Sequence, residues 1–427
     1  MKNILFTTIL VAGTSIALNA QLIVNAEFRP RGEIRHGYKS LFSDEDKSAY
    51  FVSQRTRLGV NFTQEKYSLS ITGPDVRIWG DESVYNQTSV KGDEASVELF
   101  EANLQIKFWH YTSIKLGRQQ WVYDDQRLLS ARNWGQTGIA YDGILFKYDD
   151  SNFRTDIGLS INNDKENKVG NEYTPDKMKF LDFVYLSKKL GQSSFITFMG
   201  IISGYQKDEG SETIYASATY GPYFKINQKK IELESSFFHQ SGTNIKSQSI
   251  NAYLFSLNGL YKFTDKFSIG PGIDFVSGND PSSSSDTDYS FDILYGGRHR
   301  FLGDMDYFTN LSNSVLDAGI VDLFVKANLA LNKRNNVNFT YHHFSTHKNI
   351  TDPIYLSTNL KKYLGDEFDI MYKYKAEMPA ELKVGISLYN ATRSMEVLQD
   401  VDGNASKLQF FTYVQLAFSP NIFTSQE

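Results

Sequence analysis

Cysteine is absent from the chain, and proline is scarce, with nine among 427 residues. Without thiols there is neither a disulfide framework nor a thiolate metal site. Past the first twenty residues no window approaches 18 apolar residues, so no helix is long enough to span a membrane. Nor does any long segment repeat its apolar residues at helical spacing. A positive excess is missing too. Formal net charge is −5, or −6 once Lys2 leaves with the leader described below, whereas a nucleic-acid partner needs a basic footprint. Catalytic signatures are equally lacking: there is no G-x-S-x-G, no H-E-x-x-H and no glycine-rich phosphate loop. His342 and His343 are adjacent, so on a strand they face opposite sides. The Asp run at 280–288 does not have the spacing of an EF-hand loop. These absences point to a protein that is not an enzyme and holds no cofactor, metal or nucleic acid.

The start of the chain, MKNILFTTILVAGTSIALNA, has a lysine, a short apolar stretch and a small-residue end at Leu18-Asn19-Ala20. It reads as a secretory signal peptide over residues 1–20, followed by a single domain over 21–427. Within that domain the dominant period is two. In Phe153–Asn162, Phe153, Ile157, Leu159 and Ile161 share one parity, against Arg154, Asp156, Ser160 and Asn162. Leu382, Val384, Ile386 and Leu388 alternate in the same way with Lys383, Gly385 and Ser387. Such alternation marks strands with one apolar and one polar face. Eighteen are counted, centred from Arg31 to Val414.

The links between them sort by parity. Those after even-numbered strands are short, as near Glu65, Tyr111, Asp150, Gln228, Asp265 and Arg334. Those after odd-numbered strands are long, the longest running from Ser277 to Asp317. A soluble sandwich has no reason to sort its loops this way. An outer-membrane barrel does: short periplasmic turns, long extracellular loops and an even strand number. The fold class is therefore an all-β transmembrane barrel of 18 antiparallel strands in the bacterial outer membrane. Its apolar face meets outer-membrane lipid and its polar face lines the lumen. Aromatics near strand ends (Trp79, Phe108, Trp109, Trp121, Tyr123, Tyr148, Phe224, Tyr261 and Phe263) are expected to form interfacial girdles. The uniformly apolar outer faces favour a monomer. The last strand ends at Phe418, with nine residues beyond it.

One strand stands out. In Glu27–Arg35 the alternate residues are Glu27, Arg29, Arg31, Glu33 and Arg35, and all are charged. That face is expected to point into the pore. Arg55 and Arg57 share the inward parity of the second strand. Asp75 and Arg77 would share that of the third if a bulge near Gly73-Pro74 resets its phase. Arg118 has the parity of Ile114 and Leu116. An arginine on lipid at mid-depth costs about 2–4 kcal/mol, so a second bulge at Gly117 is expected to turn it inward. Arg154, Asp142 and Asp156 complete the lumenal set. Such arginines can form a basic ring that selects anions, or be consumed as wall-to-wall ion pairs with Glu27, Glu33, Asp75, Glu101, Asp142 and Asp156.

Several stretches resemble successive parts of the alginate-export family of outer-membrane barrels. They are SQRTRLGVNF (Ser53–Phe62), DVRIWGD (Asp75–Asp81), LGRQQWVYDDQRLL (Leu116–Leu129), WGQTGIAYDGILFKY (Trp134–Tyr148), GIDFVSGND (Gly272–Asp280) and YGGRHRFLGDMDYF (Tyr295–Phe308). The resemblance implies an 18-stranded barrel with an arginine-rich constriction, through which the best-known member passes an anionic polysaccharide. It also implies that Asp124, Asp125 and Arg127 fold their loop back into the lumen, where the plain alternative is a solvated turn. The loops after strands 3, 5 and 13 are expected to narrow the pore.

The expected function is a porin for hydrophilic, anionic solutes such as acidic oligo- or polysaccharide, with periplasmic partners left open. Two rivals remain: a barrel enzyme, protease or lipid hydrolase, with its site at the rim, and a surface-binding barrel with a closed lumen. Eighteen strands argue against both, since small barrels present a rim site equally well while 16–18 strands enclose an aqueous lumen.

Overall fold

The computed structural model describes residues 20–425 except 81–97, 172, 176, 209–210, 212 and 281–284. The expected leader, apart from Ala20, lies outside the described residues. Eighteen long strands follow in order: β1 (Gln21–His36), β2 (Ala49–Thr63), β3 (Tyr67–Ile78), β4 (Glu101–Trp109), β5 (Thr112–Gln119), β6 (Tyr141–Asp149), β7 (Phe153–Ile161), β8 (Met178–Lys189), β9 (Phe195–Gln206), β10 (Ile214–Gln228), β11 (Ile231–Thr243), β12 (Ser249–Lys262), β13 (Phe267–Val276), β14 (Ile320–Ala330), β15 (Asn335–Thr346), β16 (Tyr363–Lys375), β17 (Ala380–Ala391) and β18 (Gln409–Phe418). Every expected strand centre falls inside one of them.

Each strand pairs antiparallel with the next, and β18 returns to β1 with Phe28 opposite Phe418 and Arg35 opposite Phe411. The sheet is a closed 18-stranded barrel, which leaves no unpaired ladder in hydrocarbon. The residues after Phe418 complete the seam. β1 begins seven residues before Phe28, where β18 has already ended. The four-residue strand Asn421–Thr424 pairs with that overhang, with Ile23 opposite Thr424. It covers what would otherwise be an open edge.

The outer face is apolar, as at Leu58, Val60, Ile144, Phe146, Ile157 and Leu159. Trp79, Trp109, Tyr111, Tyr261 and Phe263 are exposed at strand ends. Trp121 and Tyr123 are not girdle residues. They are buried in the lumen, where Trp121 stacks on Tyr141 at 4.6 Å and Tyr123 lies 5.1 Å from Phe183. The inner wall is likewise less polar than alternation suggests. Leu181, Phe183, Tyr185, Leu254, Phe344 and Phe411 face inward and form a core with residues of the long loops. Two of the three loops expected to narrow the pore, after β5 and β13, pack there, and most of the third falls among the undescribed residues 81–97.

Close packing also fixes one glycine. The β10–β11 register is in phase on both sides of Gly221, with Tyr220 opposite His239 and Tyr223 opposite Ser236. A Cβ on Gly221 would lie 1.9 Å from the Phe237 carbonyl oxygen, whereas one on Gly200 meets nothing closer than 3.9 Å. Gly221→Val is expected to lower stability by about 1–3 kcal/mol, and Gly200→Ala to change it little. The urea midpoint of the heat-modifiable band on a gel measures both.

Candidate functional site: a strap across the lumen

The loop between β5 and β6, residues 120–140, crosses the barrel interior as a strap. Its first part is fixed to the far wall. The Tyr123 hydroxyl donates to Asp156 at 2.8 Å. Asp124 accepts from the hydroxyls of Tyr185 and Thr197 at 3.0 and 2.9 Å. Arg127 reaches Ser256 and Asp274, both at 3.0 Å, holds Asp125 at 3.2 Å and lies 3.9 Å over the Phe301 ring. Asp125 and Arg127 are thus lumenal and consumed by each other and by the wall.

The strap then returns to β1 and β2, where the sequence places its arginines. Arg29 donates to the carbonyls of Asn133 at 2.6 Å and Gly135 at 2.9 Å, and to the Gln136 side chain at 2.7 Å. Arg31 donates to the Trp134 carbonyl at 2.7 Å. Arg55 reaches the Gln136 carbonyl at 3.4 Å and Arg57 the Thr137 carbonyl at 3.1 Å. Five consecutive carbonyls therefore accept from four arginines. Carboxylates take part of the remaining charge: Glu33 binds Arg31 and Arg35, and Glu27 binds Arg55. Arg57 also lies 3.8 Å over the Phe100 ring. Arg154 faces inward too and is paired with Asp156.

The loop between β13 and β14, residues 277–319, packs against the strap. His299 stacks on Trp134 at 3.6 Å, and the Arg31 guanidinium lies 3.9 Å from the centre of that tryptophan's ring. Asp306 binds His299 at 2.8 Å and accepts from the Tyr38 hydroxyl. The Met305 amide donates to Glu367 at 2.8 Å, and Arg132 of the strap donates to the carbonyls of Leu294 and Gly296. Between the two loops and the wall lies a cavity of about 780 Å³. Six cations line it: Arg29, Lys39, Arg132, Arg298, Arg300 and Lys383. Two carboxylates, Asp304 and Asp306, face them. The Arg298 and Arg300 side chains make no hydrogen bond or ion pair among the described residues, and the Arg298 Nε is buried without a partner.

Four expected lumenal residues lie on the outer face instead. The β2–β3 register runs without a shift, so Asp75 stands opposite Thr56 and Arg77 opposite Gln54, both on the outward parity, while Val76 opposite Arg55 points inward. No bulge forms at Gly73-Pro74. Asp75 and Arg77 pair with each other at 2.8 Å above the apolar band of Leu58, Val60, Leu69 and Ile71. The β4–β5 ladder is likewise in phase at Gly117, with Ala102 opposite Arg118. Arg118 therefore stays outward at the end of β5 and pairs with Asp142, its register partner, at 2.6 Å. Both pairs lie near the loop ends of their strands, where an outward charge costs only about 0–1 kcal/mol. Conversely, Arg132, Arg298, Arg300, Lys39 and Lys383 were not singled out by the sequence reading. Four of them sit in loops or at a strand end without periodicity, and only Lys383 carried a signal, its polar parity in β17.

A family model described as alginate export matches residues 20–405. The chain belongs to the alginate export family. No curated protein matches it. Solved structures similar to this alginate-export family chain are outer-membrane channels of Pseudomonas aeruginosa. OccK1 (OpdK), solved with vanillate, shares 9% identity at a TM-score of 0.61, covering 95% of this chain and 99% of its own. OccK10 (OpdN) shares 12% at 0.60, covering 94% and 99%. OccK5 (OpdH) shares 10% at 0.58, covering 95% and 98%. At such identities the likeness establishes the fold. Family and fold together make this chain an outer-membrane channel.

Two outcomes follow from the geometry. Arg29→Ala removes four bonds to the strap, in a class worth about 1.5–3 kcal/mol each and not additive. The barrel should stay folded while trypsin cuts faster at Arg132 and single-channel current becomes larger and noisier. The second concerns pH. Burial alone would lower the His299 pKa, but Asp306 and Asp304 outweigh it and hold it above the ordinary 6.5. Burial, then the charge of Asp369, pushes Asp304 up to about 7. Both shifts have one sign: the docked loop binds more protons than a released one. Docking is therefore strongest at acid pH and weakens as pH rises through about 7. Current noise should grow as pH rises from about 4, the ordinary carboxyl range, to about 7, and Asp304→Asn should flatten the change.

Proposed function

We propose that this outer-membrane channel conducts hydrophilic anions, including acidic oligo- or polysaccharide. The supporting observation is the charge of the 780 Å³ cavity between the loops, where six cations face two carboxylates. One of those carboxylates, Asp306, is taken by His299 and Tyr38. A ring of fixed charge in a narrow, low-dielectric passage concentrates counter-ions and sets selectivity. The arginines divide between two roles. Those of β1 and β2 hold the strap, and Arg298 and Arg300 are left to meet solute. No catalytic step is needed for this role.

Reversal potentials in a salt gradient test the reading. The wild-type channel is expected to prefer anions at 0.1 M salt and to lose much of that preference at 1 M, where the Debye length falls from about 10 Å to about 3 Å. Arg298→Glu with Arg300→Glu should move the reversal potential towards cations without altering heat modifiability, because neither side chain holds the fold together. An unselective wild type at low salt would overturn the reading.

A further inference from the structure

The short-turn rim of the barrel carries an excess of cations on one side only. Over five successive hairpins, each turn sets one or two cations beside an exposed apolar side chain. Lys188 and Lys189 precede Leu190 at the β8–β9 turn. Lys229 and Lys230 form the whole β10–β11 turn and precede Ile231. Lys266 lies between Phe263 and Phe267 at the β12–β13 turn. Lys333 and Arg334 follow Leu331 between β14 and β15, and Lys375 stands near Met378 between β16 and β17. Among these turns only Asp265 and Glu377 are acidic, and Arg334 takes Glu377. The nearby Glu232 and Glu234 are engaged with Lys225 and Lys262. Among the described residues the ammonium groups of the turns make no hydrogen bond or ion pair.

The opposite half of the rim is different. Its turns carry Glu65 with Lys66, His110 with Tyr111, and Asp150 with Ser151 and Asn152. A lysine excess kept merely for solubility would have no reason to stop at β8.

We propose that the arc from β8 to β17 is a docking surface for anionic phospholipid headgroups of the periplasmic leaflet. Three features favour lipid over a soluble acidic partner. The turns are too short to lift their cations away from the strand ends, so the charges stay at headgroup depth. Each cation has an apolar neighbour at the same level, the arrangement of a side chain that buries its stem and keeps its head in the polar layer. Finally, the cations follow the rim in a curve instead of converging on a concave site, which suits a shell of separate headgroups. Basic groups at this depth attract anionic lipid within about a Debye length.

Spin-labelled lipids test the surface directly. The purified barrel is reconstituted in phosphatidylcholine vesicles with a trace of labelled phosphatidylglycerol or labelled phosphatidylcholine, and the motionally restricted fraction is compared. At 0.1 M salt the phosphatidylglycerol label should be enriched about twofold or more, an excess that 1 M salt removes. The quadruple variant Lys188→Gln, Lys230→Gln, Lys266→Gln and Lys333→Gln should bring the two labels to parity. Lys66→Gln, on the other half, should leave the enrichment intact. All these side chains are exposed, and heat modifiability verifies that each variant is folded. Equal restriction of the two labels by wild type would overturn the proposal, as would enrichment that survives the quadruple change. Wild type that shows no lipid preference but retains polyglutamate in detergent would assign the arc to a soluble acidic partner and likewise defeat it.

Discussion

Five carbonyls in a row, Asn133 to Thr137, have to find donors inside a barrel, and the rest of the lumen follows from how they do so. A strap without secondary structure cannot satisfy itself, and a buried carbonyl left unpaired is costly. Arginine fits the need better than lysine. Its planar fork offers five donors, so one side chain can serve two carbonyls and still bind a carboxylate. Arg55 does so with Gly135, Gln136 and Glu27, and Arg29 serves two carbonyls and the Gln136 side chain. The carboxylates Glu27 and Glu33 then act less as rivals of the solute than as supports that orient the guanidinium groups. With the strap held, Trp134 is placed for His299, and through His299 and Asp306 the second loop is fixed to Tyr38 just beyond β1.

The barrel was legible in the sequence because lipid imposes a strict rule on its outer face. Every second residue must be apolar over the membrane depth, and link lengths must alternate. The same rule misled where it ceases to apply. At Asp75–Arg77 and at Arg118 the strands have climbed beyond the apolar band, so a charge may face outward at small cost. Requiring strict alternation there called for bulges at Gly73-Pro74 and Gly117, which the register does not contain. Each outward arginine also has a carboxylate to pair with, Asp75 for Arg77 and Asp142 for Arg118. A pairing partner on the same face was the missing consideration, and in β3 it was visible as an i, i+2 spacing.

The cavity was less legible, for a different reason. Loop residues have no period, so nothing in the stretch around Arg298, His299 and Arg300 says which way they point. Their placement depends on contacts far away in sequence. Glu367 receives the Met305 amide, and Arg132 grips the carbonyls of Leu294 and Gly296. Likewise Trp121 and Tyr123 look like interfacial aromatics because they follow a strand end, yet the chain turns inward at that point and they become core.

The division between held and free arginines bears on how such a channel can vary. A side chain that stabilises the strap and also contacts solute is constrained twice, since any change for selectivity loosens the loop that defines the passage. Arg298 and Arg300 escape this constraint. They project from a loop that is anchored by its neighbours, His299 on Trp134, Asp306 by the Tyr38 hydroxyl and Met305 through Glu367, so their own heads bear no part of the fold. Charge at the passage can therefore change through these two positions while the arginines of β1 and β2 stay fixed. Under the proposed anion role, selectivity and architecture are separable, because the residues adjacent in sequence make the anchoring contacts and the side chains of Arg298 and Arg300 do not.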